Sequence, residues 1–259
     1  MRIIRREYKV TNAIMGQDYH LTPVGAQMLA QDCFAALMAS YKVAAFDLSK
    51  RSLMWIISEF SMRFNAPMPF WGETVTVELW LSEKPSIKVF VDFRILYRGQ
   101  EFCSGYIVWA ILDIASRKPA LAADILAAME CNPELVSGTH RHRQPVMDSQ
   151  LMEHRHLTNM TDTDFNGHVS NITYMRVCRN SLPAEYISSH RMAQIDMRFL
   201  HESFLGDELR CTVYDTALAD RWGFVISDGN GTPCCQATAL YAPAFTATED
   251  LDKLEIRKC

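Results

Sequence analysis

Asp162-Thr163-Asp164-Phe165-Asn166-Gly167-His168-Val169-Ser170-Asn171 places two carboxylates, two amides and an imidazole in ten consecutive residues. Aspartate, asparagine and glycine compete with regular backbone hydrogen bonding, so the stretch reads as a loop. From Val169 onward Ile172, Met175, Val177 and Cys178 recur at roughly helical spacing, with Tyr174 among them. The polar groups therefore sit at a helix N-terminus, where free backbone N–H groups and the positive end of the helix dipole gather. Taken alone, such a loop is most simply a helix cap.

Outward from this loop, residues 156–160 read as a strand before it, and the helix runs to about residue 181, ahead of Pro183. Strands are expected at about 192–201, 208–215, 222–227 and 234–241. The first part of the chain has the same order. A strand is expected over 6–15, then Thr22 caps a helix with Pro23 at its first position. That helix, to about residue 41, is apolar nearly all round through Met28, Leu29, Cys33, Phe34, Leu37 and Met38, so other structure should wrap it. Strands at 52–64, 73–82, 87–96 and 102–112 follow, separated by Pro67, Pro69, Gly72, Pro85 and Gly99. Val75, Val77, Leu79 and Leu81 alternate onto one face of the second of these.

Two short echoes link the halves. Phe70-Trp71-Gly72-Glu73 matches Phe204-Leu205-Gly206-Asp207, and Val10-Thr11-Asn12 matches Leu157-Thr158-Asn159. The first half has only Asp18-Tyr19-His20 where the second has Asp164 to His168. The expected class is α+β: two repeats of a curved antiparallel sheet around a helix, over residues 1–118 and 151–259. The Pro-broken segment 119–150, with a short helix near 120–129 and an exposed basic stretch at His140-Arg141-His142-Arg143, joins them.

Composition narrows the function classes. The 259 residues are 49% apolar and 22% charged, with a formal charge of −4. That balance argues against a general nucleic-acid binder. No apolar run reaches the roughly 18 residues of a membrane span, and the basic N-terminus lacks a signal-peptide apolar core. The 8 cysteines form no CxxC pair and sit mostly in apolar runs, which reads as a reducing, cytoplasmic setting without disulfides. His154 and His156 alternate on a strand, but no third ligand stands at metal-like spacing, so no metal is expected.

Asp164-x-Asn166-x-His168 leading into Val169-x-Asn171-x-x-Tyr174 resembles the signature of the acyl-acyl carrier protein (acyl-ACP) thioesterases of plants and bacteria. Leu53-Met54-Trp55, then Pro69-Phe70-Trp71-Gly72-Glu73-Thr74-Val75, and Val108-Trp109-Ala110 before Arg117-Lys118, resemble that family's N-terminal half. The resemblance runs from about residue 6 to 243. It implies tandem hot-dog domains, the first holding the acyl chain and the second the chemistry. It implies hydrolysis of fatty acyl-ACP, with carrier protein and fatty acyl chain as partners and no cofactor beyond the 4'-phosphopantetheine that arrives on the substrate. The catalytic set it implies is Asp164, Asn166, His168 and an acidic strand residue, Glu202; Asn171, on the first turn of the helix, reads as a supporting residue. Plant members carry a cysteine beside that glutamate; Ser203 stands here. The missing plastid transit segment suggests a bacterial member.

A thioester carbonyl needs its oxygen polarised, a nucleophile and a proton path. N–H groups at the helix start can polarise the oxygen, and His168 can donate or shuttle a proton. Asp164 or Glu202 can act as base on water or as a nucleophile giving an anhydride. Met54, Trp55, Phe60 and Phe64 are core candidates, some of which could line an acyl tunnel. Arg2, Arg5, Arg6, Lys9, the 141–143 stretch, Arg176 and Arg179 are candidates for docking an acidic carrier. The rival readings are an acyl-CoA thioesterase, a hot-dog hydratase or dehydratase, and a non-catalytic acyl-binding module. Hydratases often carry Asp-x-Asn-Pro-x-His; Gly167 follows Asn166 here. Because the repeat supplies both halves of a dimer, monomer or weak homodimer is expected.

Overall fold

Apolar runs and apolar–polar alternation build the strands, and the strands make one sheet of ten. The computed structural model describes residues 2–120, 123–140 and 146–244. In chain order the first half runs β1 (Ile4–Lys9), α1 (Pro23–Ser40), α2 (Ala45–Ser49), β2 (Leu53–Phe64), β3 (Thr74–Leu81), β4 (Lys88–Tyr97) and β5 (Gln100–Asp113). After a short α3 (Ala123–Leu126), the second half runs β6 (Gln150–Leu157), α4 (Asn171–Asn180), α5 (Ala184–Ser189), β7 (His190–Phe199), β8 (Glu208–Asp215), β9 (Arg221–Ser227) and β10 (Pro233–Pro243). The class is α+β, as expected.

The strand order is β1-β3-β4-β5-β2-β7-β10-β9-β8-β6, so each half lists its strands in the same sequence outward from the centre. At the centre β2 and β7 pair antiparallel from Glu59↔Arg198 to Arg63↔Gln194. Ser61 Oγ donates to Asp196 Oδ1 at 2.6 Å across this seam. β1 and β6 are the two edges.

Thr22 caps α1 by accepting the Gly25 N–H at 2.9 Å. Along α1 only Asp32, Ala35, Ala39 and Ser40 are exposed, which fits a helix wrapped by other structure. Ser170 caps α4, accepting from Ile172 N–H. The expected helix start at Val169 is thus two residues early, because Val169 and Ser170 still have extended-loop bonds to make. Both edge strands also differ from expectation, lying at 4–9 rather than 6–15 and at 150–157 rather than 156–160. β6 alternates between exposed and half-buried residues, so it carries little apolar pattern.

The connection after α3 runs on the sheet face opposite α1. Trp80 and Asp92 alternate with core residues Leu79, Leu81, Val91 and Phe93. On that face Trp80 Nε1 donates to Glu134 O at 2.9 Å, and Val136 N–H donates to Asp92 Oδ1 at 3.0 Å. His140, expected to be exposed, is buried. Its Nε2 lies 2.6 Å from Asp92 Oδ2, its Nδ1 3.2 Å from Glu83 Oε1, and Phe90 stacks on its ring. Burial alone would lower the pKa of His140, but the hydrogen bonds and charges of Asp92 and Glu83 hold it above the ordinary value. Arg141, His142 and Arg143 lie outside the described residues.

Candidate active site

The loop 162–170 is fixed from both sides before any chemistry is considered. Val169 N–H donates to Ser203 O at 2.7 Å, and Ser170 N–H to Asp162 O at 2.7 Å. Asp164 N–H donates to His168 O at 2.8 Å, and Gly167 N–H closes a turn on Asp164 O at 3.0 Å. Gly167 has φ 78°, the left-handed region that glycine enters without steric cost. Asp162 is not a free loop residue. It ends a 3-10 turn, Met160–Asp162, and is buried; its carboxylate accepts from Asn159 N–H at 3.0 Å and lies 2.9 Å from His156 Nε2. His156 is therefore a partner of Asp162. Among the described residues no group of three or more His, Cys, Asp or Glu is placed to hold a metal.

The loop geometry assigns each side chain a place. Asp164 Oδ1 accepts the N–H of Asn166 at 2.8 Å and of His168 at 3.3 Å, so this carboxylate shapes the turn that presents the histidine. His168 is half-buried, its ring edge-on to Phe204 at 5.3 Å. Its Nε2 lies 3.8 Å from Glu202 Oε2. That is too long for a direct hydrogen bond and leaves room for a bridging group. Glu202 is not on a strand, as the resemblance implied, but on the loop just past the end of β7. Asn166 is exposed at the cavity rim.

Ser203 is buried and ties this loop to α4: its Oγ accepts from Tyr174 OH at 3.0 Å while its carbonyl takes the Val169 N–H. Asn171, the first residue of α4, is tied to the first half: its Oδ1 accepts from Gln31 Nε2 on α1 at 2.7 Å.

These groups sit at the rim of a cavity of about 570 Å3 between the two halves. Pockets of about 300–1,000 Å3 hold small molecules or chains. The second half contributes Asp164, Asn166, His168, Ser170, Asn171 and Glu202; the first contributes Met38, Met54, Ile57 and an aromatic group. In that group Phe34 stacks on Trp109 at 4.0 Å, and Trp55 meets Phe34 edge-on at 5.5 Å. Of the four residues considered for a tunnel, Met54 and Trp55 line it; Phe60 and Phe64 lie in the core away from it. Sequence reasoning passed over Arg117 as a site residue. Its Nη1 donates to Glu202 Oε1 at 3.0 Å. A basic residue at a strand end was visible, but its carboxylate lies 85 positions away.

A repeated helix-on-sheet unit, joined at a central strand pair with one polar loop beside a deep apolar cavity, defines a tandem hot-dog protein. Solved structures with this fold include an acyl-ACP thioesterase from Bacteroides thetaiotaomicron, with TM-score 0.82 and 18% identity, covering 93% of this chain and 98% of that one. The 12:0-ACP thioesterase from Umbellularia californica aligns with TM-score 0.80 and 18% identity over the same shares. The family models described as acyl-ACP thioesterase N-terminal domain and C-terminal domain match residues 4–129 and 147–242. The chain belongs to the acyl-ACP thioesterase family. Among curated relatives, the acyl-[acyl-carrier-protein] hydrolase FATB3 of Cuphea viscosissima is 21% identical over 164 residues, 60% of this chain and 40% of that protein. A palmitoyl-acyl carrier protein thioesterase of Gossypium hirsutum is 22% identical over 177 residues, 65% of this chain and 43% of its own length. The chain thus spans less than half the length of these two curated relatives.

Proposed function

We propose that this protein hydrolyses fatty acyl thioesters carried on acyl carrier protein, releasing free fatty acid and the carrier's thiol. The observation that carries the reading is the meeting, at one cavity, of His168 and Glu202 with the apolar wall of Phe34, Met38, Trp55 and Trp109. The family's name and this juxtaposition support it together. The acyl chain lies along the wall in the first half, where each buried methylene contributes about 0.8 kcal/mol. The phosphopantetheine arm comes with the substrate, and the protein brings no cofactor of its own.

Glu202 is the base: it takes a proton from water held between its carboxylate and His168, and that water attacks the carbonyl carbon. Asp164 orients His168 through the loop backbone. Asn166 and the Asn171 N–H, at the positive end of α4, stabilise the oxyanion; one such donor is worth about 10²–10³ in rate. His168, starting protonated, gives its proton to the departing thiolate and regains one from Glu202, which took it from the water, so both groups are restored. Supporting these roles are the Asp164 grip on the loop and the 3.8 Å gap between His168 and Glu202. A single turnover in ¹⁸O water checks the water route. Label in the product acid alone is expected; label in an enzyme carboxylate means an anhydride instead.

The test of function is release of acid from C8 to C18 chains on carrier protein and on CoA, with His168→Ala as control. Faster release from carrier protein, lost by about 10²–10⁴ in the variant, is expected. Preference for CoA moves the protein to the acyl-CoA reading. No acid from any substrate restores the hydratase or binding-module reading. Among the suggested docking cations, Arg5 is paired with Glu78 and Arg6 with Asp32, while Arg176 and Arg179 on α4 remain candidates. Electrostatic docking predicts kcat/KM falling steeply with salt. We infer that the internal strand pair β2–β7 makes a second copy unnecessary, so the chain works as a monomer or weak homodimer.

A further inference from the structure

The first half sends one charged side chain to the polar end of the cavity, and it comes from a turn built with unusual care. β5 ends at Asp113, whose Oδ1 accepts the N–H of Ser116 at 2.7 Å and its hydroxyl at 2.8 Å. These bonds hold the Asp113 carboxyl below its usual range. Arg117 N–H donates to Asp113 O at 2.9 Å, Asp113 N–H to Lys118 O at 3.0 Å, and Leu112 bridges Pro119. Arg117 itself has φ 56°, a left-handed conformation that costs a residue with a Cβ about 1–2 kcal/mol. The turn thus holds Arg117 in a conformation uncommon for a residue with a Cβ, as Arg98 is held at φ 52°. The result is that its guanidinium reaches the other half and donates to Glu202 Oε1, with Met54 Sδ 3.6 Å from the same nitrogen.

We propose that Arg117 is a positioning residue for the reaction: by holding Glu202 Oε1 it turns Oε2 towards His168 and so sets the base against the water. The inference rests on the hydrolase reading given above. A carboxylate on a loop can rotate about its last torsion at little cost. With one oxygen held at 3.0 Å by Arg117, the other is left at 3.8 Å from His168 Nε2. The side chains of the pair are 44% and 33% exposed. Ion pairs this open contribute at most about 1 kcal/mol to stability. The role is therefore orientation, and a simple surface ion pair makes a different prediction. It would leave catalysis untouched.

The experiment compares wild type, Arg117→Ala, Arg117→Lys, Glu202→Gln and the Arg117→Ala/Glu202→Gln double variant on an acyl-carrier substrate. Arg117→Ala should lower kcat at least tenfold, about 1.4 kcal/mol of activation energy, with KM nearly constant. Arg117→Lys should recover part of the loss, since lysine keeps the charge but not the planar fork. The double variant should be no slower than Glu202→Gln alone. A KM effect with kcat unchanged overturns the proposal in favour of substrate binding, and losses that multiply in the double variant overturn it as well. A crystal structure of Arg117→Ala gives a readout independent of turnover. The Glu202 carboxylate turned away from His168 supports the proposal, and an unmoved carboxylate sinks it. If wild type releases no acid from any thioester, the hydrolase reading fails while this structural comparison still decides whether Arg117 orients Glu202.

Discussion

Loop 16–22 in the first half and loop 164–170 in the second have nearly the same backbone and different chemistry. Gly16 N–H donates to His20 O at 2.8 Å, as Asp164 N–H does to His168 O. Tyr19 N–H closes on Gly16 O at 3.1 Å, as Gly167 N–H does on Asp164 O. Leu21 N–H reaches Pro69 O as Val169 N–H reaches Ser203 O, and Thr22 N–H reaches Ile14 O as Ser170 N–H reaches Asp162 O. Even the rings match: His20 meets Phe70 edge-on at 5.4 Å, and His168 meets Phe204 at 5.3 Å. These bonds place Gly16 where Asp164 stands, Asp18 where Asn166 stands, and Met68 where Glu202 stands. The first half keeps the histidine but has no carboxylate at the positions of Asp164 and Glu202; its loop carboxylate, Asp18, stands at the position of the amide and accepts the His20 N–H at 3.3 Å. The same set of backbone bonds therefore frames both loops, and the chemistry is decided by which side chains occupy them.

The comparison can be broken by making the second loop like the first. Glu202→Met should reduce kcat/KM by about 10²–10⁴, the usual worth of a positioned base, with little change in melting temperature. Asp164→Gly should reduce it by about 10² or more, as misplaced catalytic groups do, and should also lower stability by about 1–2 kcal/mol through two lost loop bonds. A fully active Glu202→Met protein would place the base elsewhere.

Three further variants sharpen the comparison from the structural side. His140→Ala, in the connection clasped to the first half, should cost about 3 kcal/mol in chemical denaturation by leaving the buried Asp92 without its cationic partner and with only the Val136 N–H, with kcat unchanged. Because the folded pKa of His140 is raised, the stabilisation is full below the unfolded value near 6.5 and is lost as pH rises through the folded one. Denaturation midpoints of wild type and variant should therefore converge as pH rises; a constant gap would mean that the clasp is uncharged. Gly167→Ala puts a Cβ at φ 78° and should cost about 1–2 kcal/mol. Tyr19 sits at the matching position with φ 62°, so the first half already bears that strain. Smallest of all, His20→Ala should leave kcat/KM within about twofold; a substantial loss would show that the first loop still acts in the chemistry.

Much of this could be read from the sequence. The inner strands lie within about two residues of where the sequence puts them, because alternation marks β3 and apolar runs bounded by Pro and Gly mark others such as β5, which is buried along most of its length. β1 and β6 were misplaced because each is bonded on one side only and carries charges on its open face. The helices α2 and α5 are too short for periodicity to reveal. The repeat was legible: residues 70–73 match residues 204–207 in the bonds that close each turn, while the other echo is one residue off, since Val10 and Thr158 donate alike to Glu73 O and Asp207 O. His168 and Glu202, which the resemblance puts in one site, stand 3.8 Å apart. His140 and Arg117 were missed for one reason. Each finds its acidic partners far along the chain, and a basic residue in a Pro-broken or turn segment looks solvated until the sheet brings that partner up.

The central strand pair has a consequence for how the chain comes to be made. Ser61 waits 135 residues for Asp196, which at about 5–20 residues per second is on the order of ten seconds of synthesis. Loop length itself adds little to the closing cost, about 0.6 kcal/mol per doubling. During the wait β2, 12 residues long with Phe60 and Met62 among its apolar positions, is a bare edge. Such an edge recruits other chains. A ribosome-bound first half thus carries that edge open, and the arrival of β7 both completes the cavity wall with Phe199 and covers the edge.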